Sequence, residues 1–484
     1  MTTLVLFVFL YILISIAIGL YASLRVRSST DYILAGRSLP VYITIATVFA
    51  TWFGSEAVLG IPATFLDEGL AGVVSDPFGA GFCLIFVGVF FAARLYRMKL
   101  MTIGDFYRKK YGRVVELLVS VAICISYLGW VSAQVVALGM VINLVSNNVI
   151  PMELCMLIGI GAVIIYTIFG GMWSVVMTDF VQMIMIIIGL SVVAFLVADR
   201  VDGGAVAIIE HASMNNKFDF WPEFSLPAIL TFIGAFVTMG LGSIPQQDVF
   251  QRVMSAKNEK TAVTGTVIGG VFYIVFCFIP IFITYGVIML YPDILSSYSQ
   301  EGIDTQRILP SFIINDTPMI VKVMFFGALL SAIMSTASGT LLAPSALFAE
   351  NILKETFKLN DKGLLRASRY SVLVFGIIVY IYAYYSSMAG MTIFEMVEDA
   401  YLVTLCGAFV PLAFGVYWKK ANNTGALLSI ILGVGTWISL QILTYFVAEG
   451  TIIVPPQLAG LLMSIVGMIA GSLLSEKKAV QCNN

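Results

Sequence analysis

Charge is what this chain has least of. Only 11% of its 484 residues are Asp, Glu, Lys or Arg, where a soluble domain carries about a quarter. There is no basic stripe for nucleic acid, and a net charge of −2 points to no partner. The one histidine, His211, falls in a polar stretch and reads as solvated, so a protease triad or a histidine-rich metal centre is excluded by inventory. Six cysteines stand singly, at Cys83, Cys124, Cys155, Cys277, Cys406 and Cys482. None forms a metal-ligand pair and most lie in apolar runs, which predicts buried, reduced thiols. The sequence shows no nucleophile–base set for an intramembrane enzyme, no repeated filter motif for a channel and no low-complexity tract.

What fills the space is apolar. Hydrophobic residues make up 60% of the chain and the mean hydropathy is +0.98. Apolar runs of about 20 residues read as membrane-spanning helices. Thirteen are predicted, at 2–24, 38–66, 71–95, 115–146, 150–170, 173–198, 225–251, 261–290, 317–350, 368–387, 391–417, 423–446 and 454–474. The first lacks a basic n-region and a small-residue cleavage site, so it reads as a retained helix. The short tail after the last reads as leaving no room for a signalling output domain. An odd number of helices puts the termini on opposite sides. With a cytoplasmic C-terminus, 22 of the 26 Lys and Arg fall in inner segments, and only Arg200, Lys217, Arg307 and Lys322 fall outside. That split is a positive-inside signal and predicts an external N-terminus. The expected organisation is one all-α membrane domain over 1–484.

One apolar run is unusual in its hydroxyls. The stretch 327–340, GALLSAIMSTASGT, carries Ser331, Ser335, Thr336, Ser338 and Thr340. Ser331, Ser335 and Ser338 share one helical face, with Thr336 on its flank. Such hydroxyls can replace the water shell of a small cation, or they can simply let helix backbones approach. Two other runs carry breakers in mid-course, at 50–62 (ATWFGSEAVLGIP) and 239–245 (MGLGSIP). Interrupted helices, one in each half, mark a transporter's central site, although ordinary kinks leave the same trace. Acidic residues inside or at the ends of apolar runs are Glu56, Asp76, Asp179, Asp248, Glu395, Glu398 and Asp399. Each is costly in lipid and faces protein or a water path, or is solvated at a helix end.

Four ordered motifs carry a family resemblance over nearly the whole length: YILAGRSL at 32–39, GGMWSVVMTDFVQ at 170–182, Gln251-Arg252 with Ala256-Lys257, and AIMST at 332–336. The chain resembles the sodium/solute symporter family, which includes proline, sugar, sialic acid and choline carriers. The resemblance implies a leucine-transporter-like core of two inverted five-helix repeats, 38–198 and 225–417, with 2–24 and 423–474 as extra helices. It implies a Na⁺ site made by the main-chain carbonyls of Ala50, Phe53 and Ala332 and the hydroxyls of Ser335 and Thr336. Asp179 matches an acidic residue on the sodium exit route, or at a second sodium site. Transport would proceed by alternating access at the plasma (inner) membrane, with a small-molecule solute, sodium and the lipid bilayer as partners and no obligate protein partner evident.

The same resemblance places Trp52, Asp76, Trp130 and Gln246 toward substrate, with Glu56 matching sugar carriers as well. Trp52 and Trp130 resemble aromatic positions of choline carriers, where ring faces attract quaternary ammonium. Phe394 is a candidate third face. Choline carriers have tryptophan where Gln246 stands, and proline carriers have an acid where Trp52 stands. The expected solute is zwitterionic or cationic, an amino acid or a choline-like compound. A sugar or organic acid is the alternative, and outside transport a membrane sensor that binds solute without moving it. Simple packing of the aromatics remains open at this point.

Overall fold

The computed structural model describes residues 2–293, 305–444, 446–447 and 453–482. The side chains of Asp399 and of 476–482, with Lys477, Lys478 and Cys482 among them, lie outside that description, as does 294–304 in the predicted outer loop. Every regular element among the described residues is a helix, and the one bridge among them joins Leu39 to Ala256 in parallel.

The long helices are α1 (Thr2–Ser23), α2 (Val41–Trp52), α3 (Glu56–Gly72), α4 (Val74–Arg97), α5 (Arg113–Val145), α6 (Met152–Arg200), α7 (Leu226–Gly242), α8 (Gln247–Ser255), α9 (Glu259–Leu290), α10 (Met319–Phe357), α11 (Asp361–Met388), α12 (Ile393–Tyr417), α13 (Asn423–Thr444) and α14 (Pro456–Cys482). Ten are long and apolar enough to cross a membrane, and twelve spans result if α2–α3 and α7–α8 each count as one bent span. The 49-residue α6 is too long for one crossing at 1.5 Å per residue. It breaks at Gly171, whose φ of 51° and ψ of −136° are not helical. Dividing it there yields the thirteen spans expected from hydropathy, among the described residues.

The predicted polar connections hold further helices. Gly204–Met214 lies between α6 and α7, Ile103–Tyr111 lies between α4 and α5, and Ile308–Asp316 precedes α10. Helix α10 also outruns its predicted end at 350. Its polar last turns are held by protein: Asn351 Nδ2 donates to Asp105 Oδ1 at 3.0 Å and to Glu116 Oε1 at 2.8 Å. Hydropathy alone cannot register that compensation.

Helix α10 is the axis of the bundle. Every residue from Phe325 to Leu347 is buried, and the helix packs against α2, α5, α6 and α11. A helix apolar all round belongs in the interior of a large protein. The two bent pairs meet beside it. Their breaks bend by 61° between α2 and α3 and by 45° between α7 and α8. The family-like motifs clasp each other at one end of the pairs. Leu39 N donates to Ser255 O at 3.0 Å, Lys257 N to Leu39 O at 2.9 Å, and Gln251 Nε2 to Ile33 O at 3.2 Å.

Candidate functional site

Helix α2 ends at Trp52 because Phe53 leaves helical geometry, with φ −91° and ψ 76°. Gly54 follows at a place with no room for a side chain. A Cβ there would stand 2.6 Å from Glu56 Oε2, 2.7 Å from Thr336 Oγ1 and 2.9 Å from Gln134 Oε1. The break therefore lies directly against the hydroxyls of α10. Ser335 Oγ donates to Ala50 O at 2.5 Å and also reaches Ala332 O at 3.0 Å, while Thr336 Oγ1 reaches Ala50 O at 3.4 Å. Four neutral hard oxygens thus converge from two helices, all of them buried. Such a set suits a small monovalent cation that stands between carbonyl and hydroxyl. No cluster of three or more His, Cys, Asp or Glu that could hold a metal ion occurs among the described residues.

The predicted hydroxyl stripe does not stay together. Ser331 pairs with the Tyr11 hydroxyl of α1 and donates to Gly327 O at 2.6 Å. Ser338 donates to Ser335 O at 3.0 Å, and Thr340 to Thr336 O at 2.7 Å. Only Ser335 and Thr336 turn to the break.

One turn from this pocket the aromatics gather. Trp52 and Trp130 meet edge to face at 5.5 Å between ring centroids, and Tyr401 closes a third side at 6.3 Å from Trp52 and 5.7 Å from Trp130. Both indole N–H groups are engaged by buried carboxylates. Trp52 Nε1 donates to Asp248 Oδ2 at 3.0 Å and Trp130 Nε1 to Glu56 Oε1 at 3.1 Å. Gln134 Nε2 holds the other Glu56 oxygen at 2.7 Å, and the Tyr127 hydroxyl holds the other Asp248 oxygen. Asp76, only 1% exposed, accepts from the Tyr273 hydroxyl at 2.5 Å, and Tyr273 in turn stands edge-on to Trp52. Gln246 immediately precedes α8 and donates through its amide to Ser126 at 2.9 Å. Of the residues expected at the solute site, Trp52, Glu56 and Trp130 are joined directly, and Asp76 reaches them through Tyr273.

Phe394 makes no ring pair with either tryptophan among the described residues. It packs over Gly60 and lines a cavity of about 750 Å³ that none of the box rings lines. That cavity also carries Asp67, Glu68, Glu395 and Glu398, and no Lys or Arg lines it among the described residues. Tyr401, Tyr127 and Tyr273 were not singled out by the sequence. In a chain with 13% aromatic residues, no local signal separates a box ring from a packing ring.

Two charged residues differ from their sequence readings. Asp248, open to a reading as a solvated helix end, is fully buried at the start of α8. Arg252, counted among the inner-loop cations, is 1% exposed in the core. Asp179 lies on the second leg of α6, accepts from Thr47 Oγ1 at 2.5 Å through one oxygen and also interacts with Thr51.

An all-helical bundle with two broken helices around a buried polar centre defines a membrane transporter of the leucine-transporter fold. The sodium:solute symporter family profile matches residues 32–433, and the chain belongs to that family. It is 27% identical over 432 residues to the high-affinity choline transporter 1 of Drosophila melanogaster, covering 87% of this chain and 68% of that one. It is also 27% identical to the high-affinity proline transporter PutP of Bacillus subtilis, covering 87% and 88%. A solved structure of a Na⁺-coupled sialic acid symporter in a substrate-bound outward-open state superposes with a TM-score of 0.81 at 20% identity, over 96% of both chains. The protein is an integral membrane symporter of sodium and a small-molecule solute, and not an enzyme.

Proposed function

We propose that this chain imports a small zwitterionic or cationic organic solute, an amino acid or a choline-like compound, together with Na⁺ by alternating access. The observation that carries this is the box of Trp52, Trp130 and Tyr401. With both indole N–H groups tied to carboxylates, a ligand would meet these rings by their faces, one of which is stacked on Tyr401 at Trp52 and on Tyr127 at Trp130, and Glu56, Asp76 and Asp248 place carboxylates around them. Ring faces attract an ammonium group by about 0.5–2 kcal/mol each. The choline and proline transporters among the relatives agree with this class.

Sodium occupies the pocket of Ala50, Ala332, Ser335 and Thr336, with Phe53 contributing its carbonyl, and ties α2 to α10. Asp179 belongs to the sodium exit route or a second site. Repeats 38–198 and 225–417 form the core. The N-terminus is external and the C-terminus cytoplasmic at the plasma membrane. A reporter fused after Asn484 is then active only in its cytoplasmic form, and one placed within 201–224 only in its external form. The same signal from both would overturn the orientation.

A sugar or organic acid is the second reading, favoured by the Gln246 amide, which reaches the Ser126 and Thr404 hydroxyls, and by the sialic acid symporter among the similar structures. A thermal-shift screen in sodium and in potassium, over amino acids, betaines, sugars and carboxylates, decides the class. Counterflow of the stabilising compound in vesicles follows, and its absence would leave a sensor that binds without moving solute.

A further inference from the structure

One fully buried cation has no part in the sites described so far. Arg252 stands four residues after Asp248 on α8. Its Nη1 donates to the Asp248 main-chain carbonyl at 3.0 Å, and its Nη2 to Thr51 Oγ1 at 2.5 Å. Thr51 lies between Ala50, whose carbonyl meets Ser335, and Trp52, whose indole meets Asp248. The guanidinium thus bridges the two broken helices at the residue that joins ion pocket to box. Helix α10 meets the same point at Gly339, one turn beyond Ser335. A Cβ there would come within 2.4 Å of Arg252 Nη2 and 3.1 Å of Thr51 Cγ2. Asp179 and Asp248 interact electrostatically with the guanidinium and balance its charge.

We propose that Arg252 is the joint through which sodium at the Ala50–Ser335–Thr336 pocket sets the shape of the aromatic box. The inference rests on the sodium pocket given under Proposed function. Sodium fixes α2 against α10. A rigid, planar fork then carries that position to α8, because two donors in fixed geometry cannot follow Thr51 without also moving the Asp248 main chain. Asp248 holds Trp52 and Tyr127, so the box changes with it. Arg252 is a positioning residue that touches neither ion nor solute. By reciprocity, a solute that orders the box strengthens sodium binding through the same link.

The test uses the full chain in detergent, with NaCl as the probe and KCl as the control. Calorimetry reads sodium binding. Tryptophan fluorescence reads the box, whose share of the response is the part lost in Trp130→Phe. Arg252→Lys keeps the charge and loses the fork. Thr51→Val removes the acceptor and leaves the arginine, which keeps the test valid if the lysine variant does not fold. Expected in either variant is sodium affinity within about threefold of the unmodified chain, with the box response at saturating sodium reduced to about a quarter or less. A merely structural role would lower stability and leave that response unchanged. An undiminished response in a variant with normal sodium heat overturns the joint alone. No sodium heat in the unmodified chain overturns the pocket and the joint with it.

Discussion

The two breaks occupy matching positions at the head of each half, yet they expose different parts of the chain. At the first, between α2 and α3, the main chain is what is offered. The Ala50 carbonyl is met by two hydroxyls from α10, and Ser55 N is held from outside by Gln134 Oε1 at 2.9 Å. At the second, between α7 and α8, the main chain closes on itself. Ser243 N, Ile244 N and Gln246 N donate to Met239, Leu241 and Ser243 carbonyls, and Pro245 has no N–H to satisfy. What the second break offers is side chains: Gln246 and Asp248 at the box, with Arg252 behind them on Thr51. A bare carbonyl suits a dehydrated ion, whereas side chains can be shaped to an organic solute. On the proposed reading, one backbone device used twice separates ion from solute.

Removing the hydroxyls that answer the first break has the largest effect. Ser335→Ala with Thr336→Ala leaves the Ala50 and Ala332 carbonyls and takes away two oxygens. At about 1.5–3 kcal/mol for each contact to a charged group, apparent sodium affinity should fall on the order of a hundredfold or more. Ser331→Ala, on the same helix but turned to Tyr11, should leave it unchanged within about twofold. Sodium titration of solute uptake in vesicles measures both. Equal losses from Ser331→Ala and the double variant would mean that the breaks do not divide the labour.

Next comes the charge near the box. Asp76→Asn keeps size and the contact to Tyr273 while removing a negative charge. For a cationic or zwitterionic solute, affinity at saturating sodium should fall roughly ten- to a hundredfold. Gln246→Ala, at the second break, should cost less than about tenfold for such a solute. The reverse ranking, with Asp76→Asn mild and Gln246→Ala severe, would transfer the assignment to a sugar.

Both breaks were legible in the sequence because glycine and proline cluster there inside an apolar run, whereas the lone Pro280 and Pro344 leave their helices unbroken. Ser335 and Thr336 were legible as a pair. Their separation from Ser331 and Ser338 was not, since a helical period gives the direction of a side chain and not the neighbour that meets it. Tyr401 sits in a run read only as a span. Its ring reaches Trp52 from more than three hundred residues away, which periodicity cannot encode. Arg252 was misplaced for a related reason. A cation near a helix end counts as solvated in a charge tally, but the clasp of Leu39 on Ser255 and Lys257 draws that end into the core.

The smallest effect tests the box itself. Tyr401 presents its ring to both tryptophans, and its hydroxyl is buried without a partner among the described residues. Tyr401→Phe keeps the face and removes that oxygen. If the solute is recognised by ring faces, affinity should change less than about threefold, because the quadrupole survives. Tyr401→Leu removes the face and should cost about three- to thirtyfold by the same contact energies. A solute that pairs with the hydroxyl behaves otherwise: Phe would then be as damaging as Leu, at about tenfold or more for a buried hydrogen bond. Equilibrium binding of the compound found by the thermal-shift screen separates these cases. Equal losses in the two variants would move the box from ammonium recognition to hydroxyl recognition and leave the ion pocket at the first break untouched.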